Sequence, residues 1–158
     1  MPVKTNSLRL LDLAQVAYEP CEYPIDDGRI DARSIAEKIG IPPEQCFKTL
    51  VTVNPARGHF VFVIPAPAEL DLKKAARVSG SKSVEMILQR ELLPLTGFIH
   101  GGCSPIGMKK LFPTFIEESA MLYDFISVSG GRVGLCVKVS PEELAGVIGA
   151  EFADLVKY

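Results

Sequence analysis

The chain of 158 residues is long enough for one folded domain with a substantial apolar core, and we predict a single domain over residues 1–158. Its content of 47% hydrophobic and 23% charged residues excludes a disordered or fibrous protein, because the apolar side chains offset the entropy lost on ordering. The net charge of −2 lacks the strong basic excess that is usual for a protein that coats nucleic acid such as DNA non-specifically, and it leaves a local basic patch open. No apolar run is long enough to cross a membrane and no secretory pattern follows Met1, so we expect a cytoplasmic protein without a membrane partner.

The first half of the chain contains signals for two helices followed by a pair of strands. Ser7 is placed to cap a first helix, and Asp31 is placed to cap a second helix that ends at Gly40. The runs 47–53 and 59–64 are rich in β-branched and aromatic residues, and the segment between them contains proline and glycine. This pattern predicts a β-hairpin.

The second half of the chain mixes strands with two further helices. Asp71 is placed to cap one helix, and Ser140 begins a capping box for another helix, which Gly149 interrupts before it resumes. Apolar runs predict further strands at 97–100, 114–116, 123–128 and 135–139. Because strands and helices do not alternate regularly, we predict an α+β fold with a mixed, strongly curved sheet flanked by helices.

A glycine-rich segment, Gly101-Gly102-Cys103-Ser104-Pro105-Ile106-Gly107, follows one of these apolar runs. Adjacent glycines let backbone N–H groups approach a ligand closely, and they also make tight turns. On this feature alone a structural turn is favoured. The sequence has no Walker-type phosphate loop, and we expect no nucleotide cofactor.

Two other features have both a structural and a functional interpretation. The segment Ser129-Gly130-Gly131-Arg132-Val133-Gly134 is typical of a hairpin turn, and it gains interest only if it lies beside the first glycine-rich segment. Lys48 stands in an otherwise apolar strand. It is either a solvent-facing charge that discourages aggregation, which the strand alone favours, or a cation that holds a carbonyl, carboxylate or phosphate.

The cysteines and histidines do not form a metal or nucleophile motif. The sequence contains neither a CxxC pair nor an HExxH motif, and we predict that it binds no metal. The four cysteines are expected to be reduced and mostly buried. A GxSxG nucleophile elbow is also absent, so an enzyme built on this chain would rely on backbone donors and on its substrate.

The segments Phe47-Lys48-Thr49-Leu50, Gly101 to Lys110 and Val128-Ser129-Gly130-Gly131 occur in the order found in the YbaK/EbsC family. Further similar segments are Leu70 to Ala76, Val84-Glu85-Met86, Thr96-Gly97-Phe98 and Gly149 to Asp154. The resemblance covers nearly the whole chain, from about Leu10 onward. It implies one α+β domain around a mixed, barrel-like sheet.

The resemblance also implies a function. It implies a trans-editing hydrolase related to the editing domain of bacterial prolyl-tRNA synthetases, which removes cysteine from mischarged proline tRNA and uses the substrate's own thiol. The partners implied are aminoacylated proline tRNA and prolyl-tRNA synthetase. The family's pocket lysine corresponds to Lys48, and Gly101 is placed to donate to the oxyanion. The substrate-binding residues implied are Tyr23, Thr49, Gly102, Ser104, Pro105, Ser129, Gly130 and Gly131.

The chain departs from the family at three positions beside the double glycine. His100 and Cys103 stand where relatives have apolar residues, and Met108 stands in place of a frequent glutamine. We leave His100 and Cys103 out of the catalytic set. Two other functions stay open: an alanyl-tRNA(Pro) deacylase in which water attacks, and a non-catalytic tRNA-binding adaptor of a synthetase.

Overall fold

The computed structural model describes residues 4–158. This part of the chain contains five α-helices and eight β-strands, and the irregular order of helices and strands confirms the α+β class. No helix within it is long and apolar enough to cross a membrane. In chain order the elements are α1 (Asn6–Leu13), β1 (Tyr18–Glu22), α2 (Ala32–Ile39), β2 (Phe47–Val53), β3 (His59–Pro65), α3 (Leu72–Val78), β4 (Glu85–Met86), α4 (Gln89–Thr96), β5 (Thr114–Glu117), β6 (Ile126–Arg132), β7 (Leu135–Val139), α5 (Pro141–Ile148) and β8 (Glu151–Ala153).

The strands form two sheets. The smaller sheet has the order β1-β7-β6 and is antiparallel. The larger sheet has the order β4-β2-β3-β5-β8 and is mixed, because β5 pairs in parallel with both β3 and β8. A parallel bridge between Cys46 and Ser127 brings the start of β2 beside β6. The expected mixed sheet is therefore present, but the strands do not close into a barrel, since they form two sheets and the edge strands β4 and β8 of the larger sheet do not pair with each other.

Both faces of the larger sheet are buried. Val51 and Val61 pack on one face in a cluster that includes Leu8 of α1 and residues of the smaller sheet and α5. Phe62 packs on the other face in a cluster that includes Ala75 of α3. A central strand that is covered on both sides needs apolar residues at successive positions, which explains the unbroken apolar run of β3.

The predicted hairpin is confirmed. β2 and β3 pair antiparallel from Phe47 opposite Pro65 to Val53 opposite His59. Asn54 closes the turn, since its side chain accepts a hydrogen bond from the backbone N–H of Gly58 at 2.7 Å. An asparagine that binds nearby backbone in this way is a common turn former.

Three predicted helix caps are confirmed. Asp31 accepts a hydrogen bond from the backbone N–H of Ser34 at 3.1 Å, and Asp71 accepts from two backbone N–H groups of α3. Ser140 accepts from the third residue of α5. Gly40 ends α2 in the left-handed conformation with φ +76°. These contacts satisfy backbone groups that have no partner inside the helix.

The predicted cap of α1 at Ser7 is wrong. α1 is capped by Thr5, whose hydroxyl accepts from the backbone N–H of Leu8 at 3.2 Å and donates to the carbonyl of Gly130. Ser7 is buried inside α1, and its hydroxyl donates to the carbonyl of Ile106 at 2.7 Å. Both hydroxyls therefore tie α1 to the glycine-rich loops.

Thr5→Ala is expected to lower the free energy of unfolding by about 1–2 kcal/mol, because it removes both the helix cap and the tie to Gly130. Chemical denaturation of the two proteins measures the difference. Thr5→Ser keeps the hydroxyl and serves as the control, with a change expected within about 0.5 kcal/mol. Equal stabilities of wild type and Thr5→Ala would show that the hydroxyl does not anchor α1.

The prediction of a strand at 97–100 is wrong, and the sequence analysis did not predict α4. Gly97 ends α4 in the left-handed conformation with φ +87°, and the chain then turns, with the N–H of Gly102 donating to the carbonyl of Ile99 at 3.0 Å. Pro94 lies within α4 and hides the helical pattern, since proline usually ends a helix. The result is a turn where the sequence suggested an extended segment.

Two boundaries near the C-terminus also differ from those expected. The strand expected at 123–128 begins at Ile126 and extends through the glycine pair to Arg132. The helix expected to resume after Gly149 does not form, because Gly149 ends α5 with φ +65° and β8 follows it. β8 then pairs in parallel with β5 at the edge of the larger sheet.

Candidate active site

A cavity of about 240 Å³ lies where the two sheets meet. Residues of α2, β2, α4, β6 and β7 and of the turn that follows α4 line it. The bridge between Cys46 and Ser127 holds the start of β2 beside β6 and so brings these distant segments together. The cavity therefore depends on the packing of the whole chain rather than on one local motif.

Five of the residues implied by the family resemblance line this cavity. Lys48 and Thr49 belong to β2, Ser129 belongs to β6, and Tyr23 follows β1 directly. Gly101 lies in the turn after α4. These positions span more than a hundred residues of sequence, so the fold brings the predicted residues into one place. Their roles toward a substrate stay predictions.

Lys48 is a half-buried cation in the cavity wall. Its ammonium donates to the carbonyl of Ala66 at 3.1 Å, and among residues 4–158 it has no carboxylate within 4 Å. Burial lowers the pKa of Lys48 below its usual range, Arg33 lowers it further, and Glu69 partly offsets the effect. An incompletely compensated cation of this kind can hold a carbonyl oxygen or an anion.

Gly101 contributes backbone rather than a side chain to the cavity. It adopts φ +87°, a conformation that glycine reaches without strain. A Cβ at this position would lie 2.5 Å from Cδ1 of Ile30, which is also part of the wall. Its amide N–H has no acceptor among residues 4–158. An N–H without a partner beside a cavity is suited to receive an oxyanion.

Gly102, Ser104 and Pro105 lie outside the cavity wall. A Cβ on Gly102 would lie 2.8 Å from the backbone nitrogen of Val133, so this glycine lets the two glycine-rich loops pack against each other. Ser104 is fully buried, and its hydroxyl accepts from the backbone N–H of Ile106 at 3.1 Å. Pro105 lines a separate, smaller cavity of about 160 Å³. These contacts give Gly102 and Ser104 structural roles, and the substrate-binding roles of the three residues stay predictions.

Gly130 and Gly131 also lie outside the wall. The carbonyl of Gly130 accepts the hydroxyl of Thr5, and a Cβ on Gly131 would lie 2.7 Å from Oγ of Ser7. The pairing of β6 with β7 shifts register at these glycines. The pair therefore forms a bulge that lets α1 approach β6 closely.

Comparison with known proteins assigns this chain to a family. The sequence pattern of the aminoacyl-tRNA editing domain matches residues 29–147. The chain belongs to this family. Among curated proteins, EbsC of Enterococcus faecalis, named as a candidate Cys-tRNA(Pro)/Cys-tRNA(Cys) deacylase, is 44% identical over 152 residues. That match covers 96% of this chain and 93% of EbsC.

Solved structures agree with the family assignment. A candidate trans-editing enzyme for prolyl-tRNA synthetase superposes with a TM-score of 0.83 at 27% identity, covering 99% of this chain and 100% of that one. A hypothetical protein superposes with a TM-score of 0.88 at 20% identity, covering 97% of this chain and 100% of that one. The second likeness shows the shared fold alone.

Cys103 and His100 both line the cavity of this editing domain. Burial raises the pKa of the Cys103 thiol to about 12, so at neutral pH it carries its proton. The thiolate is the nucleophilic form of cysteine, and Cys103 is therefore poorly suited to attack a substrate. His100 is exposed at the edge of the cavity.

Cys103→Ser is expected to keep deacylase activity within about threefold of wild type, because a thiol with a pKa near 12 supplies almost no thiolate at pH 7. Initial rates on Cys-charged proline tRNA measure this. Thermal unfolding of the same samples separates loss of fold from loss of chemistry. A folded Cys103→Ser protein with less than about a hundredth of the wild-type rate would identify a cysteine hydrolase.

Five buried wall residues were absent from the predicted site, and three of them carry a thiol or a hydroxyl: Cys46, Ser127 and Cys136. Cys46 lies two residues before Lys48, and Ser127 lies two residues before Ser129. Because alternate residues of a strand share a face, this spacing could have identified both. Cys136 could be found only from pairing, since it lies opposite Ser129 on β7.

The wall has no metal-binding cluster. Within residues 4–158 no group of three or more histidine, cysteine, aspartate or glutamate side chains is arranged to hold a metal ion. Burial instead keeps the wall thiols protonated, with a pKa of about 12 for Cys46 and about 11 for Cys136. The polar groups of the wall are the Lys48 cation, the Asp31 carboxylate, which accepts hydrogen bonds from Ser34, the His100 imidazole, hydroxyls and backbone N–H groups.

Proposed function

We propose that this editing-domain protein is a trans-editing deacylase that removes cysteine from Cys-tRNA(Pro). The observation that carries the proposal is the cavity itself, which places a half-buried cation and a free backbone N–H beside thiols that stay protonated. The name of EbsC, at 44% identity, supports the same substrate class. Such a cavity suits ester cleavage in which the protein supplies no nucleophile.

In this proposal the thiol of the bound cysteine attacks the carbonyl carbon of its own ester. A bond forms between sulfur and carbon, and the bond from that carbon to the ribose oxygen breaks. The thiol proton passes to the departing ribose oxygen, and the products are free tRNA and a cyclic thioester, which water then opens to cysteine. An attack within one molecule gains from high effective concentration.

The wall residues have separate roles in this scheme. The backbone N–H of Gly101 stabilises the tetrahedral oxyanion, and removal of one such donor typically costs about 10²–10³ in rate. Lys48 orients the aminoacyl group or the terminal adenosine. Tyr23, Thr49 and Ser129 complete the substrate-binding wall, and the buried hydroxyl of Thr49 has no hydrogen-bond partner among the described residues. Outside the wall, Gly102, Gly130 and Gly131 let the glycine-rich loops and α1 pack closely together.

A panel of charged tRNAs tests the proposal. Proline tRNA carrying cysteine, alanine or serine is incubated with the protein, with Cys-charged cysteine tRNA in parallel. Rapid loss of cysteine and slow loss of serine are expected, because a hydroxyl of high pKa gives little attacking anion. Equal rates for alanine and cysteine would favour attack by water, and binding without any cleavage would favour a non-catalytic adaptor.

The proposed partners follow from the same chemistry. The substrate is an aminoacylated proline tRNA, and prolyl-tRNA synthetase is a further partner, as the name of a structurally similar protein suggests for that protein. We place the protein in the cytoplasm, where tRNA is charged and used. Co-purification with and without proline tRNA tests the association with the synthetase.

A further inference from the structure

We propose that Cys46 and Cys136 form the subsite for the amino-acid side chain and select a thiol over a hydroxyl. This inference rests on the proposed function, because it concerns the aminoacyl group held in the same cavity. It starts from the distribution of cysteines. Although Cys21, Cys46, Cys103 and Cys136 are spread along the sequence, three of them line one cavity and Cys21 lies directly opposite Cys136.

Cys46 and Cys136 belong to the buried part of the wall, together with Tyr23, Phe47, Ser127 and Val128. The exposed fractions of the two cysteines are 3% and 2%, whereas Lys48, Gly101 and Ser129 are partly exposed. The polar groups proposed to hold the ester and the ribose therefore lie nearer to solvent than the two thiols. A side chain that projects from the ester into the protein would meet sulfur.

Ser127 is a neighbour of both thiols. It bridges to Cys46, and it lies on the same face of the smaller sheet as Cys136, one residue pair away. Its hydroxyl lies beside both thiols and partly offsets the rise in their pKa, but it is buried and makes no hydrogen bond among the described residues. Although Ser127 is a wall residue, its oxygen has almost no accessible surface and is therefore not presented to a ligand.

A wall of protonated thiols distinguishes sulfur from oxygen in a ligand. Sulfur is polarisable and forms only weak hydrogen bonds. A cysteine side chain therefore loses little hydrogen-bonding energy when it moves from water to such a wall. A serine hydroxyl loses strong hydrogen bonds to water and meets thiols, which are weak acceptors, because the oxygens of Thr49 and Ser127 have almost no accessible surface. A pocket without strong partners rejects an added hydroxyl by about 10²-fold at most, so we expect a preference of about 10–100-fold.

The test measures binding and not turnover, because the chemistry already favours cysteine. The probes are 3′-aminoacylamino-adenosines, in which a stable amide replaces the ester, carrying either a cysteine or a serine side chain. Titration calorimetry gives the ratio of their dissociation constants. For wild type we expect the cysteinyl probe to bind about 10–100-fold more tightly than the seryl probe.

The variants Cys46→Ser and Cys136→Ser each place a hydroxyl in the wall and are expected to lower this ratio by about tenfold. Cys136→Ser is the safer variant for folding, because Sγ of Cys136 lies 3.4 Å from the carbonyl of Cys21, which can accept a serine hydroxyl. Ala153→Ser is the control, since it adds a hydroxyl in the edge strand β8, outside the cavity wall, and it should leave the ratio unchanged.

The outcomes separate this inference from the proposed function. A wild-type protein that prefers the cysteinyl probe, with the preference reduced in both wall variants and kept in Ala153→Ser, supports the inference. No preference in wild type, or an unchanged ratio in folded Cys46→Ser and Cys136→Ser, overturns it, while deacylation of Cys-charged tRNA would still support the proposed function. Absence of deacylation on every charged tRNA contradicts the proposed function, whatever the probe ratio.

Discussion

Lys48→Ala is expected to lower kcat/KM for Cys-charged proline tRNA by about 100-fold or more and to leave the fold intact. The ammonium lies in the cavity wall, is half-buried and has only the Ala66 carbonyl as a close partner among the described residues. A hydrogen bond from a charged group such as this ammonium to a substrate oxygen contributes about 1.5–3 kcal/mol. A loss of 100-fold, which is about 2.7 kcal/mol, lies within this range.

Two further variants show whether the charge of Lys48 is responsible. Lys48→Met keeps the length of the side chain and removes the charge, so it should lose as much activity as Lys48→Ala. Lys73→Ala removes an exposed lysine of α3. It should change neither the activation free energy nor the free energy of unfolding by more than about 0.5 kcal/mol. More than about a tenth of the wild-type rate in both Lys48 variants would argue against a central role.

The pH dependence gives an independent readout of Lys48. The active form in this scheme is the cation, and burial lowers the pKa of Lys48 below the ordinary value of 10.5. Activity should therefore fall as the pH rises through that lowered pKa. Lys48→Met should lack this alkaline limb in its residual rate, and a limb that persists would belong to another group.

The elements with strong local signals could be predicted from the sequence. The hairpin of β2 and β3 follows from its β-branched runs, and Asp31, Asp71 and Ser140 are followed by helices because they satisfy free backbone N–H groups. The prediction failed where a distant contact decided the local structure. Serine is a common helix-capping residue, but the Ser7 hydroxyl donates its hydrogen bond to the carbonyl of Ile106, far along the chain.

The site was only partly predictable for the same reason. Motif similarity selected ten residues, and five of them line the cavity. Gly102 and Gly131 belong to the same motifs but allow close packing of loops, which a motif cannot distinguish from ligand binding. Conversely, Cys46 and Cys136 carry no motif, and their meeting depends on the bridge between the sheets and on strand register.

Gly101→Val is expected to reduce kcat/KM by about 10²–10³-fold, the effect of losing one oxyanion donor. The residue adopts φ +87°, which a β-branched side chain strongly disfavours, so the backbone must rotate and carry the free N–H out of position. The new Cβ would also lie 2.5 Å from Ile30, whose side chain would have to move within the wall.

Backbone strain alone could also lower activity by destabilising the fold, and Gly80→Val controls for this. Gly80 has φ +69° and open space around its Cβ position, and it is not part of the cavity wall. We expect both variants to be less stable than wild type, and thermal unfolding allows the two losses of stability to be compared. Only Gly101→Val should also lose turnover. If Gly101→Val kept the wild-type rate while folded, the segment would be a turn and the oxyanion donor would have to lie elsewhere in the wall. The backbone N–H of Cys103, which also lacks an acceptor among residues 4–158, would then be the next donor to test.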